Sequence, residues 1–217
     1  MAANGQRSLE KRERILDAAV RVFASHGYYN AKISQVAEMA EVADGTIYIY
    51  FKNKDDLLIS VFENRMEMLS QRLIEELKAQ EGALAKLRRC IELHLRLALD
   101  YPDLAEFISV ELRQSSKFIK DYKNEKFINY LHILEDALRE GQQEGVIRPD
   151  LHVEVTTRAL FGALDEQLLT LVLSRRIPSA RPLTEREVIA RAEALFSIFV
   201  EGMRPRPEAH PSVSSSA

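Results

Sequence analysis

Val42 to Leu58 reads VADGTIYIYFKNKDDLL. This stretch packs Tyr48, Tyr50 and Phe51 into one short helical segment and follows them at once with Lys52 and Lys54. Helical spacing puts Ile47 and Phe51 on one face, so Thr46, Tyr48 and Tyr50 point away from that apolar pair. Hydroxyls on a short rigid helix suit phosphate and base-edge hydrogen bonds, and the two lysines supply the counter-charge. Gly45 would let a phosphate backbone approach the helix N-terminus. Taken singly, each of these residues reads equally well as a half-buried aromatic or a solvated lysine. What precedes them decides.

Upstream, Ile15, Ala18, Ala19, Val22 and Phe23 recur at i, i+3, i+4, i+7 and i+8, the stripe of one buried helix face, and His26-Gly27 closes that helix with a C-terminal glycine. Val36, Ala37 and Ala40 define a short second helix, and Ile47 with Phe51 the inner face of a third. The tight connection Glu41-Val42-Ala43-Asp44 between them makes a helix-turn-helix head. Asn53 fits the N-cap of a long fourth helix, because Asp55 and Asp56 follow in its first turn, where the dipole favours anions. Its stripe runs Leu58, Val61, Phe62, Met66, Leu69, Leu73, Leu77.

Beyond it the helical period continues with no competing strand pattern, so the fold class is all-α with about nine helices. Breaks at Gln80-Glu81-Gly82, Asp100-Tyr101-Pro102-Asp103, Gly141 to Gly145 and Pro178 to Pro182 separate helices five to nine, with Pro149-Asp150 opening the eighth. Residues 1–54 form the head and 55–203 the body. The tail 204–217, RPRPEAHPSVSSSA, is proline and serine rich, and disorder is expected there.

Net charge is −3, but residues 1–54 carry eight Lys/Arg against six Asp/Glu, which leaves a mildly basic head on an acidic body. No apolar run approaches the ~20 residues of a membrane span and no signal-peptide core is visible, so a cytoplasmic protein with no membrane partner is expected. The lone Cys90 reads as a small buried hydrophobe. The five histidines show no metal-ligand spacing, and no phosphate loop or nucleophile elbow appears. An enzyme is not expected, nor any cofactor or metal.

The segment Ile15 to Lys54, above all VADGTIYIYFKNKDDLL, resembles the DNA-binding head of the TetR family of dimeric one-component repressors. The resemblance implies a three-helix head, a connecting fourth helix, and a body that binds an effector and dimerises through its last two helices. It carries over as DNA contacts Ser34, Asp44, Gly45, Thr46, Tyr48, Tyr50 and Lys54; Lys32 is added for its charge and position. Two departures stand out. The family commonly has glycine where this chain has Glu41, and a left-handed non-glycine residue costs roughly 1–2 kcal/mol. It also often has threonine before helix two, where Ala31-Lys32 stands here.

In the body, ELRQS (Glu111 to Ser115) and FGALDEQLLTLVL (Phe161 to Leu173) resemble TetR-family repressors of fatty-acid degradation, whose effectors are long-chain acyl-CoA thioesters. An acyl chain needs an apolar tunnel, for which Leu99, Phe107, Phe127 and Leu131 are candidates among helices that otherwise read as core. The CoA phosphates need cations, for which Arg89, Arg96 and Arg113, the last beside Glu111, are candidates. Helix eight is apolar on nearly all sides and helix nine has a wide stripe. Phe161, Leu169, Leu195 and Phe199 are therefore expected in a homodimer interface. The partners expected are a pseudo-palindromic DNA operator, a hydrophobic effector and a second copy. A multidrug or other hydrophobe sensor is the rival reading, favoured by acids and aromatics around the pocket as arginines at its mouth favour acyl-CoA; a helical lipid carrier or enzyme without a DNA role is more distant.

Overall fold

The computed structural model describes residues 2–111, 125–177, 179 and 181–205, and among the described residues all regular structure is helical. The α-helices are α1 (Ala2–His26), α2 (Ile33–Met39), α3 (Asp44–Tyr50), α4 (Lys54–Lys78), α5 (Ala83–Asp100), α6 (Pro102–Glu106), α7 (Glu125–Gln143), α8 (Val153–Ser174) and α9 (Glu185–Met203). Helix α6 runs directly into one wider, π-type turn over Phe107–Glu111. All but the first two residues of the expected tail lie outside the described residues.

The local signals act where the chain chemistry requires. Gly27 takes φ +76° and donates its N–H to Phe23 O at 3.0 Å, ending α1. Asn53 Oδ1 accepts the Asp56 N–H at 2.9 Å, and Asp56 Oδ2 accepts the Lys52 N–H at 2.8 Å, so the start of α4 is capped twice. Helix α8 begins at Val153 rather than at Pro149-Asp150. The Gln142 amide explains the delay: it donates to the carbonyls of Arg148, Pro149 and Leu151 at 3.2, 3.3 and 3.1 Å, which holds those residues in a turn.

In the head, Ile15, Leu16, Ala19, Val22 and Phe23 are buried with Val36 and Ala37 of α2, Ile47 and Phe51 of α3, and Leu57, Leu58 and Val61 of α4. Across the α1–α4 contact, Arg65 Nη2 meets Asp17 Oδ1 at 2.6 Å and Asn64 Nδ2 donates to Glu13 Oε1 at 3.0 Å. In the body, α5 is the central rod, packed by α4, α6, α7, α8 and α9. Helix α6 touches α1 on one side and α5 and α8 on the other, so it joins head to body.

Glu41 is left-handed, φ 54°, and stands alone among the described non-glycine residues in that respect. The turn is thus kept despite the absent glycine. Arg14 of α1 reaches across it and donates from Nη2 to Ala40 O at 2.7 Å and toward Glu41 O at 3.4 Å. Charge-assisted bonds of this kind offset a backbone cost of about 1–2 kcal/mol. Glu41→Gly should therefore stabilise the protein by about 0.5–1 kcal/mol, the left-handed relief less the entropy of an added glycine. A raised urea midpoint at unchanged slope would show it, and a lowered midpoint would mean that the Glu41 side chain stabilises the head in some other way.

Candidate nucleic-acid interface and ligand cavity

Helix α3 buries Ile47 and Phe51 and presents the opposite face outward. Tyr48 is 56% exposed and Ile49 77%, the most exposed large apolar side chain among the described residues. Lys32, Ser34, Asp44 and Gly45 are exposed beside them, and Thr46 is half-buried. Helix α2 starts without a side-chain oxygen at its N-cap; instead Gln35 Oε1 accepts the Lys32 N–H at 2.8 Å. Two expected contacts sit deeper than their sequence position suggests. Tyr50 turns back toward α1, its hydroxyl 3.1 Å from Ser8 Oγ. Lys54 donates from Nζ to Tyr29 O at 3.1 Å and lies 4.6 Å over the Tyr28 ring, and partial burial lowers its pKa. Its ammonium is a fixed charge at the rim of the face rather than a free one.

Gly45 is informative by what surrounds it. A Cβ there would meet nothing within 4 Å, and its φ is not positive. Neither packing nor backbone geometry demands glycine, although glycine inside a helix costs about 1 kcal/mol relative to alanine. Ile49 is the residue that sequence reasoning missed on this face. Its exposure was readable, because it belongs neither to the Ile47/Phe51 stripe nor to the hydroxyl set.

In the body, α4, α5, α7 and α8 enclose a cavity of about 230 Å³, with the turn after α6 at its edge. Phe62, Met66, Leu69 and Leu73 of α4, Leu93 and Leu97 of α5, Phe127 of α7, Phe161 and Leu168 of α8 and Ile108 form its apolar wall. The polar lining is Arg72, His94, Tyr130 and Asp165. Arg72 pairs with Asp100 at 2.9 Å and lies 5.3 Å over the Tyr101 ring.

Of the residues expected around an effector, the structure places Phe127 in the wall and Phe107, Leu131, Leu99, Arg89 and Arg96 elsewhere. Phe107 is fully buried and stacks on Phe23 of the head at 6.1 Å, while Ile108, one position on, lines the cavity. Leu131 is buried outside the lining, and Leu99 lies in a separate shallow hollow with Pro102, Arg175 and Leu183. Arg89 is taken up by Glu76 at 2.7 Å and Glu92 at 2.9 Å. Arg96 is taken up by Glu185 at 2.7 Å and Glu92 at 3.3 Å. Both arginines stitch α5 to its neighbours on the outside of the bundle. The Glu111 side chain and Arg113 lie outside the described residues.

Phe161 also changes place. It was expected between subunits, but it packs edge-on against Phe127 at 4.9 Å and His94 at 5.6 Å inside the cavity. Leu169, Leu195 and Phe199 are half-buried on the outer side of α8 and α9. Around them Ala159, Gly162, Leu173, Ala194, Ile198 and Gly202 are exposed, Ile198 to 68%.

His94 and Tyr130 are both buried, and His94 Nδ1 is 3.0 Å from the Tyr130 hydroxyl. Burial pushes the Tyr130 pKa up and lowers that of His94 to about 4, with Asp165 opposing in part. The imidazole is neutral at pH 7. Burial likewise pushes the Cys90 thiol up to about 12, which makes it an inert core residue. Among the described residues no cluster of His, Cys, Asp and Glu could hold a metal ion, and no helix is long and apolar enough to cross a membrane.

Comparison with known proteins follows the same division. The sequence pattern of bacterial regulatory proteins of the tetR family matches residues 15–61, and that of the YsiA-like protein C-terminal region matches residues 62–180. The chain is 36% identical over 190 residues to the fatty acid metabolism regulator protein of Bacillus subtilis, covering 88% of this chain and 94% of that protein. The crystal structure of the Bacillus subtilis transcriptional regulator FadR in complex with stearoyl-CoA superposes with a TM-score of 0.78 at 36% identity, covering 88% of this chain and 99% of that one. The fatty acid degradation regulator FadR of Bacillus halodurans gives 0.79 at 32% identity, covering 90% and 97%.

A histidine held neutral in the folded state binds its proton only when the chain unfolds. His94 should thus destabilise the fold as pH falls from about 6.5 toward 4, by an amount on the order of 3 kcal/mol at the acid end. Thermal melts across that window should show a decline that His94→Phe flattens. An equally steep decline in the variant would assign the acid lability to other groups.

Proposed function

Since the chain belongs to the TetR family of bacterial regulatory proteins and is a transcription regulator rather than an enzyme, we propose that it is a homodimeric repressor that leaves its operator on binding long-chain acyl-CoA, and so controls genes of fatty-acid degradation. It acts in the cytoplasm, with residues 1–54 as the DNA-binding head and 55–203 as the effector-binding and dimerising body. The observation that carries this reading is an apolar cavity one residue away from the head: Ile108 is in its wall, and Phe107 is stacked on Phe23 of α1. A ligand that prefers one position of the turn after α6 then biases the position of α1 and the head with it, in proportion to its differential affinity for the two states. The relative crystallised with stearoyl-CoA supports the ligand class.

The exposed small and apolar face of α8 and α9 supports a second copy packed there as a four-helix interface. Two heads of such a dimer read half-sites about one helical turn, ~34–36 Å, apart on a pseudo-palindrome. Lys32, Ser34, Tyr48 and the pinned Lys54 take phosphates; Thr46 and Ile49 reach base edges, where an isoleucine suits a thymine methyl. Tyr50 supports the helix from behind.

One observation favours a second reading. Asp165 lies in the cavity with Phe62, Phe127, Tyr130 and Phe161, and Arg72 is the lone described cation there, which is the lining expected of a sensor for lipophilic cations. A gel shift on the gene's own upstream DNA separates the two. Micromolar stearoyl-CoA should release the protein; release by a lipophilic cation and not by the CoA ester would establish the second reading, and no shift at all would remove the DNA role.

Gly45→Ala tests the face itself. It should raise thermal stability by up to about 1 kcal/mol while weakening operator binding several-fold, because the added methyl stands where the phosphate backbone approaches. Stability and affinity rising together would take Gly45 off the interface.

A further inference from the structure

The acyl-CoA reading leaves a buried polar atom of the cavity wall without a partner. His94 Nε2 is buried, with no hydrogen-bond partner among the described residues, on a side chain that lines the cavity. An imidazole nitrogen left unpaired in a mostly apolar wall is unfavourable. Its neighbour Tyr130 fixes which kind of nitrogen it is. The buried phenol has a single proton to place, and its partner is His94 Nδ1 at 3.0 Å. With the O–H donating to Nδ1, the imidazole proton sits on Nε2. The reverse arrangement would leave both the phenolic proton and the Nε2 lone pair unsatisfied. Phe161, edge-on to the imidazole with an interplanar angle of 87°, holds the ring plane. The wall therefore offers an oriented, neutral N–H donor among Leu93, Leu97, Phe127 and Leu168, with Arg72 and Asp165 as the charged members of the same lining.

Resting on the proposed acyl-CoA effector, we infer that His94 Nε2–H donates to the thioester carbonyl oxygen of the bound ligand, with Tyr130 as the positioning residue that holds the required tautomer. A neutral donor in an apolar wall suits a neutral carbonyl. It suits a carboxylate less well, because Asp165 already lines the cavity and Arg72, the one described cation there, is paired with Asp100 at 2.9 Å. The bond gives the cavity a fixed point along the ligand. Chain length is then measured from the carbonyl inward, and a ligand of equal length lacking that oxygen is read as wrong because the donor stays unpaired.

The test compares stearoyl-CoA with octadecyl-CoA, the thioether that keeps the CoA and the chain and lacks the carbonyl oxygen. Calorimetric titration of the full-length wild type should give about tenfold tighter binding of the thioester, the scale of one buried hydrogen bond. His94→Phe keeps an aromatic ring beside Phe161 and should bind the two ligands within about twofold of each other. Tyr130→Phe leaves the donor in place with its tautomer no longer fixed, and should show a discrimination between those two values; it carries the comparison should His94→Phe fail to fold. Wild type binding both ligands equally, or either variant keeping the full tenfold ratio, would overturn the role of His94 while leaving the acyl-CoA effector standing. Wild type binding neither ligand would remove the effector itself.

Discussion

Helix α5 is surrounded by α4, α6, α7, α8 and α9, and that single condition organises the body. A helix enclosed by five others must be apolar over most of its girth, as Leu87, Cys90, Ile91, Leu95 and Ala98 are. The polar residues it keeps have two permitted fates. Arg88, Arg89, Glu92 and Arg96 emerge at the grooves beside α4 and α9 and end in ion pairs. Such exposed pairs contribute up to about 1 kcal/mol each and serve mainly to fix which helix lies in which groove. His94 points inward, and it is tolerated because it is neutral and holds Tyr130. The inward-facing imidazole is a by-product of where α5 has to lie.

The second dependency is the turn after α6. Consecutive residues in a helical turn project about 100° apart, so Phe107 and Ile108 face different compartments by geometry alone. The wider π-type turn at Phe107–Glu111 is a form that recurs at functional sites. Head and cavity contacts thus meet across one peptide link.

The head was legible because its information is contiguous. The stripe of α1, the Asn53 cap and the outward set on α3 each lie within a few residues; the structure keeps the stripe and the cap, and of the outward set it leaves Tyr48 exposed while Tyr50 turns back toward α1. The ligand site was legible only in outline. Arg89 and Arg96 looked available for phosphates because their partners stand 13 and 89 residues away, at Glu76 and Glu185. Phe161 was placed between subunits because a helix apolar on every side does not reveal which face meets which neighbour; its ring contacts with Phe127 and His94 decide it. Arg72 and Tyr130 carried no local signal, since a charged residue on an amphipathic helix and an aromatic in a core stripe are each ordinary until the helices are packed.

The Arg14 contact with the turn also bears on how this family's sequences can drift. Where residue 41 is glycine the turn costs little by itself, and position 14 answers only to the surface of α1. Where residue 41 carries a Cβ, as here, two carbonyls lean on a guanidinium 26 and 27 residues earlier in the chain. The order of substitution then matters. An arginine arriving first at position 14 is harmless beside glycine and later permits the exchange of that glycine. With a Cβ at position 41, losing Arg14 removes both of those bonds from the left-handed turn. The tolerance of position 41 for a side chain is thus set in part by position 14, in helix α1.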